Sequence, residues 1–336
     1  MTGIAETQDN PALPRVAVVI PCYRVGKHLA GVVQAIGPKV WRIYCVDDAC
    51  PEDSRRVIEG LAAENPRVQG LFHTLNQGVG AAVVTGYRQA LADGADLIVK
   101  LDGDGQMDPA RIPELLEPLL RGEADYVKGN RFFDLDSVKA MPVVRLIGNA
   151  GLSFLSKISS GYWNLFDPTN GYTAIQASLA RQLPLHKLNP RYFFESDMLF
   201  RLNTLRAVVL EVPMDARYGD ETSSLSVSNA LVRFPFLHAR NFFKRIFYNY
   251  FLRGFSIASV NLLVGLVLTS FGLVFGVTHW VAAAESNVLA SPGTVMLAAL
   301  PIILGTQLVL SFVSFDMENV PRDPIHRRLP ADARRR

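Results

Sequence analysis

A chain of 336 residues, 49% hydrophobic and only 19% charged, has room for one large α/β domain plus an appendage and is apolar for a soluble enzyme. Its net charge of +3 gives no reason to expect a nucleic-acid partner. Cys22, Cys45 and Cys50 are odd in number and have neither CxxC nor His-paired spacing, which excludes a sequence-evident zinc site and leaves them as reduced, buried thiols.

Residues 1–14 lack the basic and apolar regions of a signal peptide and are expected to form a flexible N-terminus. Val16–Ile20, all apolar and stopped by Pro21, predicts a buried parallel strand. A helix over Lys27–Ile36 follows, then a strand at Trp41–Val46 that ends in Asp47 and Asp48. Val57, Ile58 and Leu61 have helical spacing within Ser54–Glu64, with Asp53 or Ser54 as N-cap. Val68–His73 predicts a third strand, Gly80–Ala92 a helix and Asp96–Leu101 a fourth strand. Such alternation means βαβ units and a mainly parallel sheet. No G-x-G-x-x-G opens the first helix, and Gly78 and Gly80 match neither the dinucleotide nor the Walker pattern.

The fourth strand carries the stretch around which the chain is organised, Leu97–Gln106, read LIVKLDGDGQ. Residues two apart share a face of an extended chain, so Asp102, Asp104 and Gln106 can converge on one point. Two carboxylates and an amide oxygen suit Mg²⁺ or Mn²⁺ and leave room for substrate phosphates. An EF-hand is excluded, because its sixth and twelfth positions hold Met107 and Pro113. Asp-Gly runs also occur in plain turns, but this one stands at the C-terminal end of a strand, where open α/β sheets bind ligands.

Tyr126–Lys128 predicts a fifth strand, followed by Gly129-Asn130-Arg131. Met141–Ser159 has the pattern of an amphipathic helix, with Arg145 and Asn149 one turn apart. Asp167–Tyr172 is a polar turn entering a short strand, Phe193–Asp197 opens a helix, and Ala207–Val212 predicts a late strand. In Arg233–Leu252, Arg233, Arg240 and Lys244 form one helical stripe and Phe236, Phe243 and Phe247 another, as expected of a helix lying in a membrane interface. Between Phe255 and Phe315 the only charged residue is Glu285. The two apolar halves, 255–278 and 293–315, each exceed the ~20 residues a spanning helix needs. Basic residues flank the pair and none lies in the connecting loop, so both termini and the N-terminal domain are expected on the cytoplasmic side. The expected organisation is therefore a catalytic domain over 15–230, a juxtamembrane helix over 231–253, a transmembrane hairpin over 254–316 and a basic cytoplasmic tail over 317–336.

Taken in order, VVIPCY at Val18–Tyr23, VDDACPED at Val46–Asp53, NQGVGAAVVTGY at Asn76–Tyr87, KLDGDGQMDP at Lys100–Pro109, GNR at Gly129–Arg131, DPTNGY at Asp167–Tyr172 and ARYGDETSSL at Ala216–Leu225 carry a family resemblance. The chain resembles the family 2 glycosyltransferases of GT-A fold, and more narrowly the polyprenyl-phosphate (dolichyl-phosphate) hexose synthases with two C-terminal spans. The resemblance implies a Rossmann-like, mainly parallel catalytic domain, and a membrane enzyme of cell-envelope glycan biosynthesis that moves a hexose from UDP- or GDP-hexose to polyprenyl phosphate with inversion. It implies that Pro21, Tyr23, Asp47 and Asp48 line the nucleotide pocket, that Asp102, Asp104 and Gln106 hold the metal and donor diphosphate, and that Arg131, Arg145 and Asn149 meet the acceptor phosphate. Asp167 is the candidate base or orienting carboxylate, and Glu195 and Asp197 are candidates for the sugar hydroxyls. The family often reads PxYNE where this chain has Pro21-Cys22-Tyr23-Arg24-Val25. A transferase acting on another lipid or glycan acceptor, and a non-catalytic nucleotide-sugar-binding membrane partner, are the rival readings. A processive polymer synthase would need more spans. A homo-oligomer is compatible with all of these.

Overall fold

The computed structural model describes residues 13–133, 143–214 and 227–329. Seven strands form one sheet in the order β3-β2-β1-β4-β6-β5-β7. They are β1 (Val16–Cys22), β2 (Val40–Asp47), β3 (Val68–Phe72), β4 (Leu97–Lys100), β5 (Tyr126–Asn130), β6 (Thr173–Gln176) and β7 (Val209–Pro213). All pairings are parallel except those of β6, which lies antiparallel between β4 and β5. The even residues of β1, Val16, Val18 and Ile20, join one apolar cluster, and Ala17 and Val19 join the other. Helices cover both faces, which is why this strand reads as a continuous apolar run rather than an alternating one.

Helices α1 (Gly26–Ala35), α2 (Ser54–Glu64) and α3 (Val79–Ala92) follow the first three strands. Asp53 occupies the N-cap of α2, but with a left-handed backbone and no side-chain cap bond. Between β4 and β5 lies α4 (Ile112–Leu120), a helix not expected from the sequence. Ile112, Leu115, Leu116 and Leu119 form its buried stripe, but Pro109, Pro113 and Pro118 interrupt the pattern. Pro113 falls in the first turn, where a missing N–H costs nothing. Next come α5 (Val143–Ser160), the short α6 (Ala177–Gln182) and α7 (Phe194–Thr204).

The C-terminal third is helical. The α8 helix (Val227–Phe247) runs into a π-helical turn at Tyr248–Arg253 and then into α9 (Ile257–Ser286) and α10 (Pro292–Glu318). On α8, Leu237, His238, Asn241, Arg245 and Ile246 are buried, while Phe236, Phe243 and Phe247 are exposed together with Arg233, Arg240 and Lys244. The aromatic and basic stripes thus share one outward face. Only 11% of the apolar window of α9, and the same share of α10, is buried, unlike a core helix of a soluble domain. At 1.5 Å per residue the helices are about 45 and 40 Å long, more than a hydrocarbon layer of about 30 Å. They pack through glycines. A Cβ on Gly305 would stand 2.4 Å from Thr269 Oγ1 and 2.6 Å from its backbone N. Small residues at such a crossing let the two backbones meet.

The base of the hairpin is fastened to the domain. Asp316, near the end of α10, accepts from Arg245 Nη1 (2.5 Å), Arg245 Nη2 (2.9 Å), Tyr250 (2.7 Å) and Trp163 Nε1 (3.0 Å). Beyond α10 the chain folds back onto the domain. Fully buried Asp125 accepts from Val208 N, Ile325 N and His326 N, and pairs with His326 Nδ1 at 2.6 Å. The stretch expected to be a basic tail is therefore docked as far as His326, and residues 330–336 lie outside the described residues.

Candidate active site

The parallel strands end at a cleft of about 700 Å³. Its walls come from the ends of β1, β2, β4 and β5 and from α5, α7 and α8.

At one end stand Pro21 and Tyr23, the latter 38% exposed beneath the Arg24 guanidinium. Asp48 lines this end but its carboxylate is already engaged. It accepts from Gln77 N (2.9 Å) and Gly78 N (2.7 Å) and meets His73 Nδ1 at 2.8 Å. Asp48 thus holds the loop 76–78 against the end of β2. Asp47 is buried behind it and accepts from Cys50 N, and burial keeps its carboxyl above the usual aspartate range.

In the middle, β4 delivers Lys100 and the turn after it delivers Asp102, Asp104 and Gln106, the last three all on the wall. Asp104 Oδ1 accepts from Gln106 N at 3.0 Å, which sets the turn. Lys100 is 2% exposed and reaches Asp102 Oδ1 at 2.8 Å and Glu195 Oε1 at 3.3 Å. Burial pulls its pKa down, but the Asp102 and Glu195 carboxylates more than reverse this and hold the ammonium charged. Lys100 needs the space that Gly171 leaves, since a Cβ there would lie 2.3 Å from Nζ and 2.8 Å from Asp102 Oδ2. A buried lysine must be paired, so the lone Lys in LIVKL was a signal of this contact that the sequence reading did not use.

The donor set fits a hard divalent cation. Asp102 keeps Oδ2, and Asp104 and Gln106 face the same cleft, all of them oxygen donors. Among the described residues no group of three or more His, Cys, Asp or Glu forms a cage. The arrangement is an open platform.

Arg131 forms the wall just beyond β5. Its Nε and Nη2 donate to the two oxygens of Asp167 at 2.8 and 3.0 Å, and its backbone N adds a third bond. Asp167 is wholly buried, and its own N–H is held by Glu211 at 2.7 Å. The Asp167 carboxylate lies behind Arg131, and both its oxygens accept from that guanidinium. Lys128, also wholly buried, donates to Asn170 O at 2.6 Å, and burial lowers its pKa to about 8 against the pull of Asp167, Glu195 and Glu211. Of the two α7 carboxylates, Glu195 lines the cleft and Asp197 does not. Asp197 accepts from Asn189 N, Arg201 and Asn241 and so ties α7 to α8. Arg145 and Asn149 lie on α5, but their side chains, like the whole of 215–226, fall outside the described residues.

His238 on α8 completes the wall and was not singled out from sequence. It is 3% exposed, and burial pushes its imidazole down to about 4. As pH falls below the ordinary histidine value of about 6.5, the unfolded chain takes up a proton that the folded one refuses until about pH 4, so stability is lost across that window. The loss sums to about 3 kcal/mol. Melting curves from pH 7 to pH 4 are expected to fall less steeply for His238→Asn than for the parent, and parallel curves would contradict this.

A family model described as glycosyl transferase family 2 matches residues 17–183. The undecaprenyl-phosphate mannosyltransferase of Micrococcus luteus is 32% identical over 203 residues, covering 60% of this chain and 82% of that protein. The UDP-N-acetylglucosamine–dolichyl-phosphate N-acetylglucosaminyltransferase of Methanococcus voltae is 28% identical over 234 residues, covering 66% and 92%. Among solved structures, glucosyl-3-phosphoglycerate synthase of Mycobacterium tuberculosis with Mn²⁺ and UDP-glucose superposes with a TM-score of 0.51 at 19% identity, over 69% of this chain and 79% of that one. That likeness is one of fold.

Proposed function

This chain belongs to glycosyl transferase family 2, with a GT-A-like fold, and we propose that it transfers a hexose from a nucleotide-diphosphate sugar to a polyprenyl phosphate at the cytoplasmic face of the membrane. The observation that carries the reading is the cleft itself. The acidic platform and Arg131 face one space, and the walls of that space include α8, which runs on into the hairpin, and α5, which packs against α8. The activities of the relatives, both transfers to a polyprenyl-type phosphate, supply the acceptor class.

In this reading an oxygen of the lipid phosphate attacks the anomeric carbon as the bond to the leaving diphosphate breaks. Single displacement inverts that carbon, so an α-linked donor gives a β-linked product. A phosphate monoester has a second pKa of about 6 and is mostly ionised at neutral pH, so it needs little help from a base. The burial of Asp167 is consistent with that. Asp167 instead fixes the plane of Arg131, whose guanidinium, with Arg145 and Asn149, would receive the phosphate. Pro21 and Tyr23 would border the nucleotide, with Asp47 and Asp48 shaping the loops around it. Mg²⁺ or Mn²⁺ held by Asp102, Asp104 and Gln106 would neutralise charge developing on the leaving diphosphate.

The membrane placement rests on composition and packing. The exposed Phe236, Phe243 and Phe247 alternate with Arg240 and Lys244 on α8, as in a helix seated among headgroups. Arg253 precedes the hairpin and Arg322, Arg327 and Arg328 follow it in sequence, and the turn between α9 and α10 has no Lys or Arg. The test is a screen of UDP- and GDP-hexoses against undecaprenyl phosphate, with mass spectrometry of the lipid. A polyprenyl-phosphate hexose is expected from one donor. Transfer only to diacylglycerol or to a glycan, or no lipid product at all, would overturn the acceptor assignment.

A further inference from the structure

Of the described part of α8, only Phe234 and His238 reach the cleft, and His238 is the only titratable one. Its Nδ1 lies 2.7 Å from Ser159 Oγ on α5. The Ser159 hydroxyl has one hydrogen, and it donates that to the Ser156 carbonyl at 3.2 Å. With the hydroxyl hydrogen assigned to the Ser156 carbonyl, Ser159 Oγ accepts from His238, and in this assigned tautomer the imidazole proton is on Nδ1 and Nε2 keeps a lone pair. Among the described residues Nε2 has no protein partner. The ring stays neutral because burial disfavours the imidazolium.

The neighbours have matching chemistry. Phe193, the N-cap of α7, stands edge-on to the His238 ring at 4.8 Å and to Phe234 at 5.5 Å. Two residues on, Glu195 lines the cleft with one oxygen held by Lys100. On this wall His238 and Glu195 present acceptors beside an aromatic ring, whereas Arg131 presents donors. A phosphate dianion has no hydrogen to give to Nε2 or to Glu195. A hexose has several hydroxyls that do, and an apolar ring face that suits Phe234. We propose that His238 is a specificity residue for the donor sugar, its Nε2 accepting a hydrogen bond from a hydroxyl of the transferred hexose.

The inference rests on the donor half of the function proposed above and not on the acceptor half, so its test omits the acceptor. Calorimetry on the full chain in detergent with Mn²⁺ compares UDP-glucose with UDP and GDP-mannose with GDP. His238→Asn keeps a nitrogen facing Ser159 and deletes Nε2, while His238→Gln puts a polar atom near the Nε2 position and drops the Ser159 bond. His238→Asn is expected to weaken the preferred nucleotide-sugar about three- to tenfold, the cost of one neutral hydrogen bond. The matching nucleoside diphosphate should bind as before, and His238→Gln should recover part of the loss. Equal weakening of sugar and diphosphate would make the role structural, and unchanged binding of both would remove it. A parent chain that binds neither nucleotide-sugar more tightly than its diphosphate also overturns the inference. If donor binding is intact and only turnover on polyprenyl phosphate falls, His238 belongs to the acceptor and the inference is wrong, whereas a failed acceptor screen by itself leaves it standing.

Discussion

Asp104→Ala is expected to lower kcat by about a thousandfold or more, which corresponds to the several kcal/mol that a bound cation contributes at a developing charge. The cost to the fold is expected to be small. The Asp104 carboxylate stands in the turn after β4 on the cleft wall and accepts from Gln106 N at 3.0 Å. Losing one such bond costs about 1 kcal/mol. Asp102 would be a poor choice for the same test. Its Oδ1 is one of two carboxylate oxygens that neutralise buried Lys100, and removing it leaves that ammonium on Glu195 alone. Breaking a buried pair from one side costs about 3–5 kcal/mol, so Asp102→Ala would confound folding with catalysis. The measurement is product formation by mass spectrometry beside a melting curve. Excess EDTA should reproduce the Asp104→Ala loss in the parent chain, and full activity in EDTA would refute the platform.

Local order was legible because it is written at local spacing. Helix α2 spans Ser54–Glu64 as its apolar positions 57, 58 and 61 required, and the unbroken apolar run of β1 announced a strand covered on both faces. Helix α4 is not legible locally because Pro113, harmless in its first turn, and Pro118, inside it, look like breaks in a linear reading. The acidic motif was legible too, since alternation along a chain end is a two-residue pattern. The partners that give the site its character were not. Lys100 meets Glu195 across 95 positions, Arg131 meets Asp167 across 36, and Asp48 meets Gly78 across 30. Each depends on strand order, above all on β6 entering antiparallel so that Thr173 sits between Lys100 and Lys128. No local period encodes that insertion. The docking of Ile325 and His326 on Asp125 was hidden likewise, because a basic terminal segment reads as solvated until its buried partner is seen.

Arg131→Lys should lower acceptor kcat/KM by about ten- to a hundredfold, the equivalent of about 1.5–3 kcal/mol for a charge-assisted bond. The geometry sharpens this expectation. Arg131 spends Nε and Nη2 on Asp167, which orients the guanidinium plane at the cleft wall. Lysine keeps the charge but has no planar fork, so it cannot hold both Asp167 oxygens and still present a fixed donor to a phosphate. Asp167→Asn separates orientation from charge. It leaves Arg131 in place but weakens the two charge-assisted bonds that hold its plane, so it should produce a smaller loss in the same parameter. Nucleotide-sugar binding, measured by calorimetry with metal present, should hardly change in either variant, because the acidic platform serves the donor. Arg145→Ala should follow the same pattern as Arg131→Lys. If Arg131→Lys instead weakens donor binding and spares acceptor kinetics, Arg131 belongs to the diphosphate. The lipid phosphate would then have to be met elsewhere, and the exposed Arg240 and Lys244 of α8 are the next residues to substitute.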